Sequence, residues 1–160
     1  MALLDPEHPP SRKAPRVWAL GAAIPWTVAV VAQVVWVIVD AQPAWLHVLA
    51  AVGTVAGIAI SVVIAPLWRY RVHRWDMDET AVYVRSGWWV QERRIAPISR
   101  VQTVDTHRGP LDRLFGLSNV TVTTASSAGA VRIVALDAEV ADGVVARLTD
   151  IAALGAEDAT

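Results

Sequence analysis

The sequence predicts a membrane α-hairpin of two transmembrane helices, followed by a mainly-β domain that a C-terminal helix closes. Three features of the 160 residues carry that expectation. Two long apolar runs lack any Asp, Glu, Lys or Arg, short Val-, Ile-, Thr-, Tyr- and Trp-rich segments follow them, and the chain ends on a helical apolar stripe. Composition agrees: 54% of residues are hydrophobic and 18% charged, against about 45–50% and about 25% in an average soluble chain.

The first run, Val17 to Val39, has 23 residues, and the second, Ala44 to Trp68, has 25. A bilayer core about 30 Å thick needs about 20 helical residues, so each run is long enough to cross it. A cleaved signal fits the first run poorly, since its apolar region is only about 7–15 residues long. Asp40-Ala41-Gln42-Pro43 is the whole connection, which suits adjacent antiparallel helices. Arg12, Lys13 and Arg16 precede the pair and Arg69, Arg71 and Arg74 follow it, while the connection holds no Lys or Arg. The positive-inside rule then predicts a multi-pass inner-membrane protein with both termini in the cytoplasm. Trp18, Trp45 and Trp68 stand at span ends, where indole rings favour the headgroup level. Gly53, Gly57 and Ser61 form a small-residue ridge that admits a second backbone, either the first helix or another copy. Gln33 seeks an interhelical hydrogen bond at mid-span, Pro25 can kink the first helix, and His47 reads as wetted at the outer end.

After Trp68 the pattern becomes that of antiparallel strands: Tyr70–Met77, Ala81–Ser86, Trp88–Ile95, Val101–Thr106, Asn119–Ala125 and Ala130–Ala135. Asp78-Glu79-Thr80, Ser86-Gly87 and Ser126-Ser127-Ala128-Gly129 supply turns. Val120-Thr121-Val122-Thr123 alternates as a half-buried strand does. From Asp137, a candidate N-cap, Val140, Val144, Leu148 and Ile151 make one apolar helical stripe, and Gly155 can end that helix. Strands closed by one helix suggest a curved sheet or open barrel plugged by the helix.

Three stretches carry a resemblance: Ile98-Ser-Arg-Val-Gln-Thr-Val104, Leu111-Asp-Arg-Leu-Phe-Gly-Leu117, and Val120-Thr-Val-Thr-Thr124 running on to Gly129. Together with the two spans ahead of them, they resemble the pleckstrin-homology-like domains of YdbS-like bacterial membrane proteins. The likeness covers Val17 to Leu154, with His107 where the family often has Gln. It implies a pleckstrin-homology-like barrel closed by a C-terminal helix on a two-helix anchor, and brings no catalytic residues. The domain reading is a cytoplasmic N-terminal segment (1–16), the transmembrane hairpin (17–68), the β domain with its helix (69–155) and a flexible tail (156–160).

Little in the chain points to catalysis. It has no Cys, which removes disulfides, thiol nucleophiles and Cys-held metals. His8, His47, His73 and His107 show no metal-ligand spacing, and Asp76, Asp78 and Glu79 read as a solvated turn. The expectation is no enzyme and no cofactor. A net charge of −1 gives no reason to expect nucleic acid. Local charge says more: Arg69 to Gly116 holds nine Arg against six acids, whereas the part from Leu117 onward carries −4. Basic residues beside a membrane attract anionic headgroups or only fix topology.

The candidate interface is Trp88, Trp89, Arg93, Arg94, Arg108 and Arg113. On a strand Trp88 and Trp89 point to opposite faces, so at most one enters the core. The other meets the C-terminal helix, the membrane interface or a partner. Leu111, Leu114 and Phe115 make one helical turn that plugs the core or docks outside it. The expected function is a membrane-anchored cytoplasmic module for protein–protein interaction or assembly, with another membrane protein or itself as partner. The alternative is a module that binds anionic lipid headgroups.

Overall fold

The computed structural model describes residues 5–39, 42–88, 90–125 and 129–157. Trp89, the Ser126–Ala128 part of one predicted turn, and Asp40-Ala41 lie outside the described residues. The chain forms two compact units: one is Pro15–Trp68, the other is Arg69 onward together with the residues up to Ala14.

The first unit is a helix pair. α1 (Ala14–Val39) is followed by α2 (Ala44–Ile58), a π-helical turn (Ala59–Ile64) and α3 (Ala65–Val72). The last three run on as one helix from Ala44 to Val72. The wide π turn ends just before Pro66, whose ring crowds the carbonyl four residues back and which lacks an N–H, so the helix widens there instead of breaking. Both helices are long and apolar enough to cross a membrane. They are tied by polar side chains. The Gln33 amide donates to the Ala50 carbonyl at 3.2 Å and to Thr54 Oγ1 at 2.6 Å, and the Trp26 indole N–H donates to Ser61 Oγ at 2.6 Å. Ser61 in turn donates to the Gly57 carbonyl at 2.7 Å. A Cβ at Gly57 would collide with the Trp26 ring, whereas one at Gly53 would meet nothing within 4 Å. The small-residue ridge therefore divides, with Gly57 and Ser61 seating α1 and Gly53 facing away from it. The His47 ring meets Trp36 edge-on at 4.6 Å.

The second unit holds two antiparallel sheets. β1 (Arg74–Met77), β2 (Ala81–Gly87) and β3 (Gln91–Pro97) form the first. A 3-10 turn (Ile98–Arg100) leads to β4 (Val101–His107), a short α4 (Pro110–Phe115), β5 (Leu117–Thr124) and β6 (Val131–Asp137), and β4, β5 and β6 form the second sheet. α5 (Ala138–Glu157) closes the unit. The expected barrel does not form as one closed sheet. β3 and β4 are consecutive, yet among the described residues no ladder joins them. Pro97 has no N–H to continue a ladder, and the 3-10 turn redirects the chain.

The core is where the two sheets face α5: Trp75, Val82, Val84 and Ala96 from one side, Val120, Val122, Val131 and Ile133 from the other, and Ala141, Val144 and Leu148 from the helix. β5 buries Val120, Val122 and Thr124 in alternation, as its pattern predicts. Two predicted elements are corrected. Tyr70–Val72 is helix and not strand, because the hydrogen-bonded rod from Ala44 propagates through it as far as the His73 N–H, which donates to the Arg69 carbonyl at 2.9 Å. On α5, Val140 is exposed and Ala141 takes its place in the buried stripe, while Gly155 lies inside the helix.

A bulge sits between β5 and β6, where Ser118 faces Leu136 and Val120 faces Ile133. There Ala135 takes a left-handed φ of 54°, a strained conformation for a residue with a Cβ. Asn119 holds it in place. Its Oδ1 accepts from the Ala135 N–H at 2.9 Å, while its Nδ2 donates to Asp112 Oδ2 at 2.9 Å and to the His107 carbonyl at 3.2 Å.

Gly57→Leu should displace the Trp26 ring and its bond to Ser61, an overpacking cost of about 1–3 kcal/mol. Gly53→Leu should stay within about 0.5 kcal/mol. Unfolding of the full chain in detergent distinguishes the two, and equal effects would remove the Trp26 contact from the account.

His73 is buried, and burial, followed by the positive charges of Arg69 and Arg74, lowers its pKa from 6.5 to about 4. The folded chain thus keeps His73 neutral while the unfolded chain takes up the proton, so stability falls as pH drops from about 6.5 to about 4. The loss should reach at most about 3 kcal/mol, and His73→Gln should remove it. The check is thermal unfolding at several pH values across that window.

Candidate interaction surface

Strand register decides what the outer face of the first sheet presents. Arg74 pairs with Arg85, and Arg85 pairs with Arg93. The row spans all three strands, and its neighbours are placed as cross-strand pairs are, about 5 Å apart. Arg74 is braced by Nη1 donating to the Tyr70 and His73 carbonyls at 2.8 and 2.9 Å. Arg85 donates through Nε to the Val72 carbonyl at 3.4 Å.

The N-terminal segment lies on this unit. The Asp5 carboxylate takes Arg85 Nη1 at 3.0 and 2.9 Å and Arg93 Nη2 at 3.3 Å. His8 forms an isolated antiparallel bridge with Trp75, its N–H donating at 3.1 Å and its carbonyl accepting at 2.9 Å. The Ser11 N–H donates to the Ala135 carbonyl at 2.8 Å. Lys13 Nζ reaches the Phe115 carbonyl and Asp137 Oδ1, both at 3.3 Å, a cation placed at the negative end of α4. Residues 5–13 thus form a strap that touches both sheets. Sequence pattern does not reveal it, because a Pro-rich segment has no hydrophobic period and its contacts are 80 and 102 residues away for Asp5 and Lys13.

The five described residues of the candidate interface do not make one patch. Trp88 lies in the turn after β2 and not on a strand, and is 40% exposed. Gly87 opens that turn with φ 137°, a Cβ there would strike the Val90 carbonyl, and Gly87 pairs with Gln91 across the reversal. Val90 is 74% exposed at the same tip. Trp89 lies outside the described residues. Arg93 joins the arginine row. Arg94 points to the opposite face and bonds the Ala130 carbonyl at 3.3 Å and Glu92 at 3.2 Å. Arg108 reaches Asp142 at 3.5 Å, and Arg113 is exposed on α4, both away from the first sheet. The helical turn does not plug the core as a whole, because Leu114 is 76% exposed while Leu111 and Phe115 are half-buried.

The acidic turn is structural. Asp78 Oδ1 accepts from the Thr80 N–H and hydroxyl at 2.7 Å and from the Ala81 N–H at 2.8 Å, and Tyr83 donates to Oδ2 at 3.1 Å. These bonds, the Thr80 hydroxyl foremost, hold its pKa down at about 2. Among the described residues no three His, Asp or Glu side chains gather as a metal site. The surface offers guanidinium donors, which hydrogen-bond anions strongly, and an exposed apolar tip.

The sequence model of the bacterial PH domain family matches residues 19–151, from α1 into α5. A Bacillus subtilis (strain 168) protein named UPF0699 transmembrane protein YdbS is 34% identical over 114 residues, 68% of this chain and 70% of that protein. No solved structure matches the chain.

Trp75→Ala should cost about 3–5 kcal/mol, as core aromatic truncations do, since Trp75 is 9% exposed and sits in the core. Trp88→Ala should cost under about 1 kcal/mol. Thermal unfolding of both variants measures the difference, and a Trp88 loss as large as that of Trp75 would mark the tip as structural.

Proposed function

The chain belongs to the bacterial PH domain family, and from that premise we propose that it is an integral inner-membrane protein whose β unit works as a cytoplasmic interaction or assembly module. The membrane part of the reading is supported by the two apolar helices and by the name of the Bacillus relative, a transmembrane protein. With Arg and Lys flanking the pair and none in its connection, both termini lie in the cytoplasm. The partner is another membrane protein or a second copy of the chain, and the work is binding and not catalysis.

One observation carries the interaction reading: the β2–β3 turn presents Trp88 and Val90 to solvent. Tryptophan is enriched among the residues that dominate binding energy. The second reading, recognition of anionic headgroups, draws on the row of Arg74, Arg85 and Arg93, since each basic residue near an anionic surface adds about 1 kcal/mol.

Reporter fusions at the N-terminus and after Thr160 should both read cytoplasmic, and a site at Gln42 should read outside. A photo-crosslinker at position 90 should yield protein adducts in native membranes. A C-terminus outside the cytoplasm would overturn the topology. Lipid adducts alone would replace assembly by the headgroup reading.

A further inference from the structure

Three arginines in register across one sheet face are an unfavourable arrangement by themselves, because like charges directly opposite one another destabilise a strand pair. Asp5 offsets that repulsion. Its one carboxylate bridges Arg85 and Arg93, at 2.9–3.0 and 3.3 Å. Three residues further on, His8 pairs with Trp75 through two backbone hydrogen bonds, an isolated bridge on the outer edge of β1. The sheet therefore already holds a ligand of defined chemistry: an extended chain with a carboxylate three residues before the residue that pairs with the edge. Edge addition of this kind is a recurrent mode of peptide recognition, and the guanidinium fork matches a carboxylate in geometry as well as charge.

At this end the strap's ion pairs differ in burial. The side chains of Asp5 and Arg93 are 54% and 46% exposed, whereas that of Arg85 is 20% exposed, so water screens the Arg93 pair more than the Arg85 pair. The backbone pairing is confined to one residue on each side. His8 Nδ1 also meets Asp76 Oδ1 at 3.4 Å and Pro6 is buried, and covalent attachment adds the high effective concentration of a tethered ligand.

We propose that the Arg85–Arg93 face and the β1 edge form a docking site for an extended, carboxylate-bearing segment of a partner protein, with residues 5–13 as a plug that competes in cis. This site rests on the interaction reading above and names the chemistry of the partner.

The probe is a fluorescent acetylated peptide of residues 5–13, titrated by polarisation into the full-length chain in detergent micelles. The Asp5→Asn chain should bind it at least tenfold more tightly than the wild type, because the cis competitor is weakened. Adding Arg93→Gln should reverse that gain at least tenfold, Arg93→Lys should reverse it in part, and added salt should weaken binding. A peptide carrying Asp5→Asn should bind at least tenfold more weakly. Thermal unfolding of each chain variant reports its folding, and Arg93→Lys keeps the charge if Arg93→Gln does not fold. Equal binding to wild-type and Asp5→Asn chains, or indifference to Arg93, would overturn the site. Displacement of the peptide by phosphatidylglycerol vesicles, with the Arg93 dependence carried over to those vesicles, would overturn it in favour of a lipid headgroup. Peptide binding without protein adducts at position 90 would uphold the site and remove the assembly reading. Protein adducts without peptide binding would do the reverse.

Discussion

The absence of a ladder between the two sheets, among the described residues, is the constraint on which the β unit depends. A closed barrel is held together by its own backbone hydrogen bonds. Here β3 gives way to β4 through a 3-10 turn, and other groups must keep the sheets together. α5 supplies the apolar part, with Ala141, Val144 and Leu148 buried among the inward side chains of both sheets. The strap supplies the polar part, anchored at Arg85, Arg93 and Trp75 on one sheet and at Ala135 on the other. The strained Ala135 belongs to the same system, since its N–H is held by Asn119 and its carbonyl by Ser11.

Much of this was legible from residue order. Charge-free runs, strand composition and the Val-Thr alternation of β5 are local signals, and each corresponds to an observed element. The small residues of the second helix were legible only in part. Gly57 and Gly53 are equivalent by spacing, and it is the large Trp26 ring on the facing helix that distinguishes them.

The remaining features depend on choices that periodicity does not encode. Val140 and Ala141 lie on adjacent helical faces, and a hydrophobicity pattern selects the larger one, although the core accepts the smaller. Arg85 and Arg93 are equidistant from Trp89, so placing the reversal at the tryptophans would have paired them. Treating Trp88 as a strand residue concealed that register. The strap could not be read at all, because its partners are supplied by distant strands and its prolines suppress any local pattern.

The length of the strap's contacts also has a consequence for the order in which the molecule is made. Lys13 waits for Phe115, 102 residues later in the chain, and at about 5–20 residues per second that delay is on the order of 5–20 s. Ser11 must wait longer, until β6 has left the ribosome with Ala135. Both long helices and the first sheet are complete before then. Every nascent chain therefore passes through an interval in which the arginine row exists and the strap has only one sheet to hold. A finished chain can return to that state only by releasing its first residues.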